Sequence, residues 1–207
     1  MRTARRLFVL AVLAAATTFC GDVSRASRAP VYLVIDALQA AQGNHPSTLA
    51  GTLFSDVQTF VTAPAPCSAT SPCATVFNDI GQVEMHVTPK DLGVPAFNLS
   101  PSANNAVTIT RYRVVFRRSD GRNTPGVDVP YPFDGAFTVT VPAAGATASF
   151  ELVRHIAKEE SPLVQLINGR IIITTIADIT FYGRDLVGNE VSVTGSLTID
   201  FGNFGDS

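Results

Sequence analysis

Tryptophan is absent from these 207 residues, lysine occurs only at positions 90 and 158, and just three histidines and three cysteines are present. Charged residues make up 15% of the chain with no long run of either sign, so the basic stripe that marks a nucleic-acid surface is missing. There is no G-x-S-x-G elbow, no H-E-x-x-H pair, no phosphate-binding loop and no dinucleotide-binding glycine pattern. His45, His86 and His155 fall in separate segments. His155 and Glu159 have the i, i+4 spacing of a ligand pair, but strand alternation puts His155 on the solvated side. No repeat of fixed period appears, which argues against a solenoid or propeller. The expectation is a non-enzymatic protein with no cofactor, no metal and no nucleic-acid partner.

The N-terminus carries more information. Arg2, Arg5 and Arg6 precede an apolar run from Leu7 to Ala16, followed by small polar residues and Cys20. That order describes an export signal whose core is too short to anchor in a bilayer. "TTFC", Thr17 to Cys20, resembles the lipobox of bacterial lipoproteins, in which the cysteine is lipidated and becomes the new N-terminus. Phe19 departs from the family's small residue at that place, and Thr17 from its usual leucine. A rival cut lies after Ala26, where Ser24 and Ala26 supply an A-x-A-like pair and would release a soluble periplasmic or secreted form. The expected organisation is a signal peptide over 1–19, a linker over 20–29 and a β-sandwich domain over 30–207. Lipidation at Cys20 would tether the domain to a membrane face.

Losing the three signal arginines leaves 12 of the 15 basic residues against 17 acidic ones, a balance near −5 (12 − 17). With Cys20 lipidated or removed, Cys67 and Cys73 remain, with five residues between them in "CSATSPC". In an oxidising compartment that pair reads as a local disulfide, worth roughly 2–2.5 kcal/mol by loop closure. The spacing is not the C-x-x-C of a redox or metal pair.

Valine, isoleucine, threonine and phenylalanine are abundant, a mixture that favours strands. Val31 to Ile35 is an apolar β run, and "GTLFSDVQTFVT" alternates imperfectly as a second strand. Val83, Met85 and Val87 alternate with Gln82, Glu84 and His86, the period of a half-buried strand. Tyr112, Val114 and Phe116 point one way while Arg111, Arg113 and Arg117 point the other. "GAFTVTVPAAGATASFELVRHI" reads as a hairpin about a Pro-Ala-Ala-Gly turn, and 170–201 as two strands joined by "RDLVGN". Strands of this length with turn residues between them indicate an all-β antiparallel sandwich.

"ITFYGRDLVGNEVSVTGSLTIDF", Ile179 to Phe201, resembles the last hairpin of bacterial immunoglobulin-like and fibronectin-III-like domains. Asp185, Gly188 and Asn189 match the D-x-x-G-N turn, while Gly183 stands for the usual alanine and Leu186-Val187 for small residues. "ITRYRVVFRRSDG" is similar to the aromatic-containing central strand of the fibronectin-III-like sheet. The resemblance covers 107–201 and implies an immunoglobulin-like or fibronectin-III-like β-sandwich; 30–99 either completes that sandwich or forms a separate small β unit.

Two surfaces remain as candidate sites. The guanidiniums of Arg111, Arg113 and Arg117 could hold an acidic glycan or protein, or they could simply be an outward face paired by cross-strand acids. The segment 121–135, with Asp128, Tyr131 and Asp134, is a loop cluster of the kind that carries binding. Asp185, Asn189 and Glu190 lack the alternate-position spacing of a calcium loop, so a turn is expected there. The functional expectation is an exported cell-envelope module, structural or protein-interacting. Its partners would be the membrane through the lipid anchor, and envelope proteins or glycans.

Overall fold

A computed structural model describes residues 28–90 and 105–205. The signal segment 1–19, Cys20, the Ala26 cut and most of the 20–29 linker lie outside the described residues. Ten strands are described: β1 (Val31–Ala41), β2 (Thr52–Asp56), β3 (Thr59–Val61), β4 (Cys73–Thr75), β5 (Asp79–Pro89), β6 (Val107–Arg117), β7 (Phe133–Val141), β8 (Ala146–Val153), β9 (Ile173–Asp185) and β10 (Glu190–Gly202). A single-turn helix, α1 (His155–Glu159), and a 3-10 turn (Leu163–Leu166) link β8 to β9. Among the described residues no helix is long and apolar enough to cross a membrane.

The protein is an all-β sandwich. One sheet has the order β1-β5-β8 and the other β2-β10-β9-β6-β7, with β3 and β4 forming a two-stranded ribbon. Pairing is antiparallel except between β2 and β10, which run parallel from Thr52 opposite Thr198 to Asp56 opposite Gly202. The exception follows from the path of the chain. After β1 it leaves the first sheet, so β2 joins the far edge of the second without a hairpin to reverse it. Strands from the first half of the chain complete both layers, since β1 and β5 pair with each other and β5 with β8, while β2 pairs with β10.

Period-2 alternation builds the core. Val83, Met85 and Val87 of β5 are fully buried while Glu84 between them is exposed. Ala177, Ile179 and Phe181 of β9 and Leu197, Ile199 and Phe201 of β10 do the same in the second sheet. Each of these side chains larger than alanine contributes roughly 1.5–3 kcal/mol by leaving water. In β6, Ile109 and Tyr112 both face inward although three positions apart. An irregularity between Ile109 and Arg111, against both neighbouring strands, absorbs the extra residue.

Tyr112, Phe137, Phe150 and Phe181 form an aromatic centre, with ring centroids 5.1 Å apart for Tyr112–Phe150 and 5.3 Å for Phe150–Phe181. Two glycines make room for it. Gly135 is the cross-strand partner of Tyr112, and Gly81 that of Phe150. A Cβ at Gly135 would sit 2.3 Å from the tyrosine ring, and one at Gly81 2.4 Å from the phenylalanine ring.

The hairpin expected of β7 and β8 is not formed. β7 pairs with β6 in the five-stranded sheet, and β8 with β5 in the other. The Pro142–Gly145 turn, closed by Gly145 N–H on the Pro142 carbonyl at 3.1 Å, therefore arches between layers. Phe137 and Phe150 meet across the interior at 6.2 Å, as side chains of opposing sheets rather than neighbours on one face.

Candidate functional site

The arginines of β6 are largely neutralised by their own neighbours. Asp134, directly across the ladder from Arg113, accepts from Arg113 Nη1 at 2.7 Å and from Arg111 Nη1 at 3.3 Å. Asp178 on β9 accepts from Arg117 Nε at 2.6 Å and from the Ser196 hydroxyl at 2.6 Å. Partial burial of Asp178 works against its ionisation, but these two donors hold its carboxyl below the ordinary range. The arginine face is thus a set of cross-strand pairs, and such exposed pairs contribute at most about 1 kcal/mol each.

The 121–135 segment splits in two. Asp134 joins the arginines on the sheet. Asp128 closes a turn instead, with Oδ2 accepting the Thr124 N–H at 3.2 Å and its own N–H donating to the Thr124 carbonyl at 2.9 Å. Tyr131 is half exposed and lies over Gly126, where a Cβ would meet the ring oxygen at 2.3 Å. These residues order the loop and do not converge on one point.

At Asp185 the turn consumes the carboxylate. Oδ1 accepts the N–H groups of Val187 (3.0 Å) and Asn189 (2.8 Å), and Oδ2 accepts the Asn189 side-chain amide at 2.7 Å. Gly188 takes φ +88°, the left-handed backbone that glycine tolerates best. Leu186 and Val187 at the tip are exposed. Among the described residues no cluster of three His, Cys, Asp or Glu side chains could hold a metal. The backbone N–H of His155 donates to Asn78 Oδ1 at 2.6 Å, and its ring Nδ1 lies 2.9 Å from the same oxygen. Cys67 and Cys73 are disulfide-bonded, with 5.4 Å between their Cα atoms.

Arg111 also lines a concavity, together with residues the sequence did not single out as a binding site. A groove of about 570 Å³ opens where the start of β1 meets the β9–β10 hairpin, lined by Tyr32, Lys90, Arg111, Tyr182, Arg184 and Glu190 among others. Two cations lie on two rings: Arg111 is 3.8 Å from the Tyr182 centroid and Lys90 is 5.1 Å from that of Tyr32. Arg184 pairs with Glu190 at 3.1 Å. Arg111 is shared with Asp134, and the Tyr32 side is open to solvent. What the groove offers is two cations, each set against a tyrosine ring, beside one ion pair. Its residues come from five separate segments, so no local pattern could have marked it as a whole.

A second cluster is buried. Lys158 reaches from α1 between the sheets to Asp79 at the start of β5, and both side chains are 1% exposed. Ser55 Oγ donates to Asp79 Oδ2 at 2.6 Å and Gly43 N–H to Oδ1 at 3.2 Å. Burial pushes the Asp79 carboxyl above its ordinary range, although Lys158, Ser55 and Gly43 all act in the opposite sense. No protein-family model, curated protein or solved structure matches the chain.

Proposed function

We propose that the chain is an exported bacterial cell-envelope protein, a lipoprotein tethered through Cys20, acting as a non-enzymatic structural or protein-interaction module. The basic-then-apolar N-terminus and the "TTFC" stretch support the tether. The strand order supports the immunoglobulin-like reading of the scaffold. β5 sits between β1 and β8 as strand B sits between A and E, and β9 sits between β6 and β10 as F sits between C and G.

The observation that carries the interaction reading is the groove. Ala29, nine positions beyond Cys20, lines it, so the tether would span at most about 30 Å before the groove begins. Metabolic palmitate labelling tests the anchor: label is expected on the wild-type chain and lost from Cys20→Ala, and unchanged labelling of the variant overturns it.

A second reading, in which the groove binds an acidic glycan, draws on the stacked Lys90–Tyr32 and Arg111–Tyr182 pairs and the exposed Tyr32 ring. It moves the contact away from Arg113 and Arg117, which do not line the groove. A glycan array should give a signal that Lys90→Ala and Arg111→Ala reduce and Arg117→Ala leaves in place. No specific signal removes this reading.

A further inference from the structure

Leu186 and Val187 are 63% and 83% exposed at the tip of the β9–β10 hairpin, where the turns it resembles carry small residues. Neither side chain packs against the core. The turn holds its shape without them, because the Asp185 carboxylate fixes it and a Cβ at Gly188 would meet nothing within 4 Å. Beside the tip lie Arg184, paired with Glu190 at the end of the ladder, and Tyr32, 56% exposed with Lys90 set over its ring. Tyr32, Lys90 and Arg184 line the same groove, which brings them to one end of the sandwich. Aliphatic side chains at a tip, backed by an amphipathic ring and long cationic stems, match the layering of a lipid interface.

We propose that this end of the sandwich docks on a phospholipid bilayer, with Leu186 and Val187 entering beneath the headgroups. The Tyr32 ring then lies at headgroup level, and Lys90 and Arg184 meet lipid phosphates. The groove opens at the bilayer surface. This inference rests on the lipid tether at Cys20 proposed above and says how the tethered domain is oriented.

The reach of the tether selects this end. A second exposed apolar group sits at the opposite end of the same hairpin, where Ile171 and Ile172 precede β9 and Phe54 meets Phe204 beyond β10. β9 has 13 residues, so the two ends lie about 40 Å apart. Standing on the far end would lift Ala29, which lines the groove, about 40 Å from the bilayer, whereas nine residues from Cys20 span at most about 30 Å. The hairpin tip is the apolar end that the tether delivers. Tethering also holds the tip at high effective concentration, so two aliphatic side chains, too few to retain a free protein, are enough to orient an anchored one.

The test puts an environment-sensitive fluorophore on Val187→Cys in the full chain, and on Ile171→Cys as the far-end control. With Cys20 lipidated and Cys67 bonded to Cys73, the introduced thiol is the one left to label. The chains are placed on vesicles of phosphatidylethanolamine and phosphatidylglycerol containing lipid with a nitroxide on its acyl chain. Quenching at 187 should exceed that at 171 several-fold, and adding Leu186→Asp should remove the difference. Equal quenching at both positions, or none at 187, overturns the proposal. Palmitate incorporation keeps the two readings apart. Lipid on Cys20 without quenching at 187 overturns the docking and leaves the tether. No lipid on Cys20 overturns the tether, and the docking then stands or falls on quenching at 187 in a Cys20→Ala chain.

Discussion

The Tyr112 hydroxyl donates to the backbone carbonyl of Glu151 across 2.8 Å, so β6, an inner strand of one sheet, is hydrogen-bonded to β8, an edge strand of the other. The ring beneath that bond packs among Phe133, Phe137, Phe150 and Phe181. Tyr112→Phe keeps the packing and removes the bond, which should cost about 1–1.5 kcal/mol. Tyr112→Ala should cost about 3–5 kcal/mol, because a cavity is added to the lost contact. Burial, reinforced by the nearby Glu151 carboxylate, pushes the phenol up to about 12. The folded chain therefore keeps this proton where the unfolded chain, near 10, releases it. Stability from Tyr112 is complete below the unfolded value and declines as pH rises from there toward the folded one. Denaturant midpoints at about pH 9 and about pH 11 should fall more for the wild type than for Tyr112→Phe.

Lys158→Met leaves the Asp79 carboxylate buried without its partner, and a loss of about 3–5 kcal/mol is expected. Lys158→Met combined with Asp79→Leu removes both charges and should recover a large part of that loss, which a double-mutant cycle by denaturant unfolding would read. Ser55→Ala, which takes away one hydrogen bond to Asp79, should cost about 1–3 kcal/mol.

Local chemistry was the legible part of this fold. Val83, Met85 and Val87 announce a half-buried strand by period alone, and Pro64, Pro66 and Pro72 mark a stretch that cannot join a central ladder. Which strands share a sheet was not legible. The Pro142–Gly145 turn has hairpin chemistry, yet the strands on either side diverge, because each finds its ladder with a strand far away in sequence. Lys158 was hidden for a related reason. Nothing in the residues around Lys158 marks it for burial, which depends on Asp79, 79 positions away (158 − 79). The groove brings Tyr32, Lys90, Arg111 and Tyr182 together from four segments whose local patterns describe only strands and a strand end.

The disulfide closes a ring that contacts little else. β3 and β4 pair only with each other within the sheets, and Cys67 and Cys73 are six positions apart in the ribbon's connecting loop and second strand. Reduction should therefore release roughly 2–2.5 kcal/mol of local constraint without a matching loss in global stability. Hydrogen exchange should accelerate across 59–75 while β5 and β9 keep their protection. Equal acceleration in the core strands would show that the ribbon is needed for the sandwich itself.

Asp185 is the last test of what the β9–β10 turn is for. Its carboxylate accepts three hydrogen bonds from within the turn, and Asp185 N–H donates to the Asn189 carbonyl at 3.0 Å, so the residue closes the hairpin on both sides. Asp185→Ala should cost about 1–2 kcal/mol through the lost bonds to backbone N–H groups. Gly188→Ala should cost about 1 kcal/mol, because its φ of +88° strains any residue with a Cβ. A calcium site would require oxygen ligands at alternate positions, and Leu186 and Val187 place apolar side chains there. Calcium is accordingly expected to leave the melting temperature of the wild type unchanged. A calcium-dependent rise that Asp185→Ala abolishes would turn this hairpin from a folding element into a metal site.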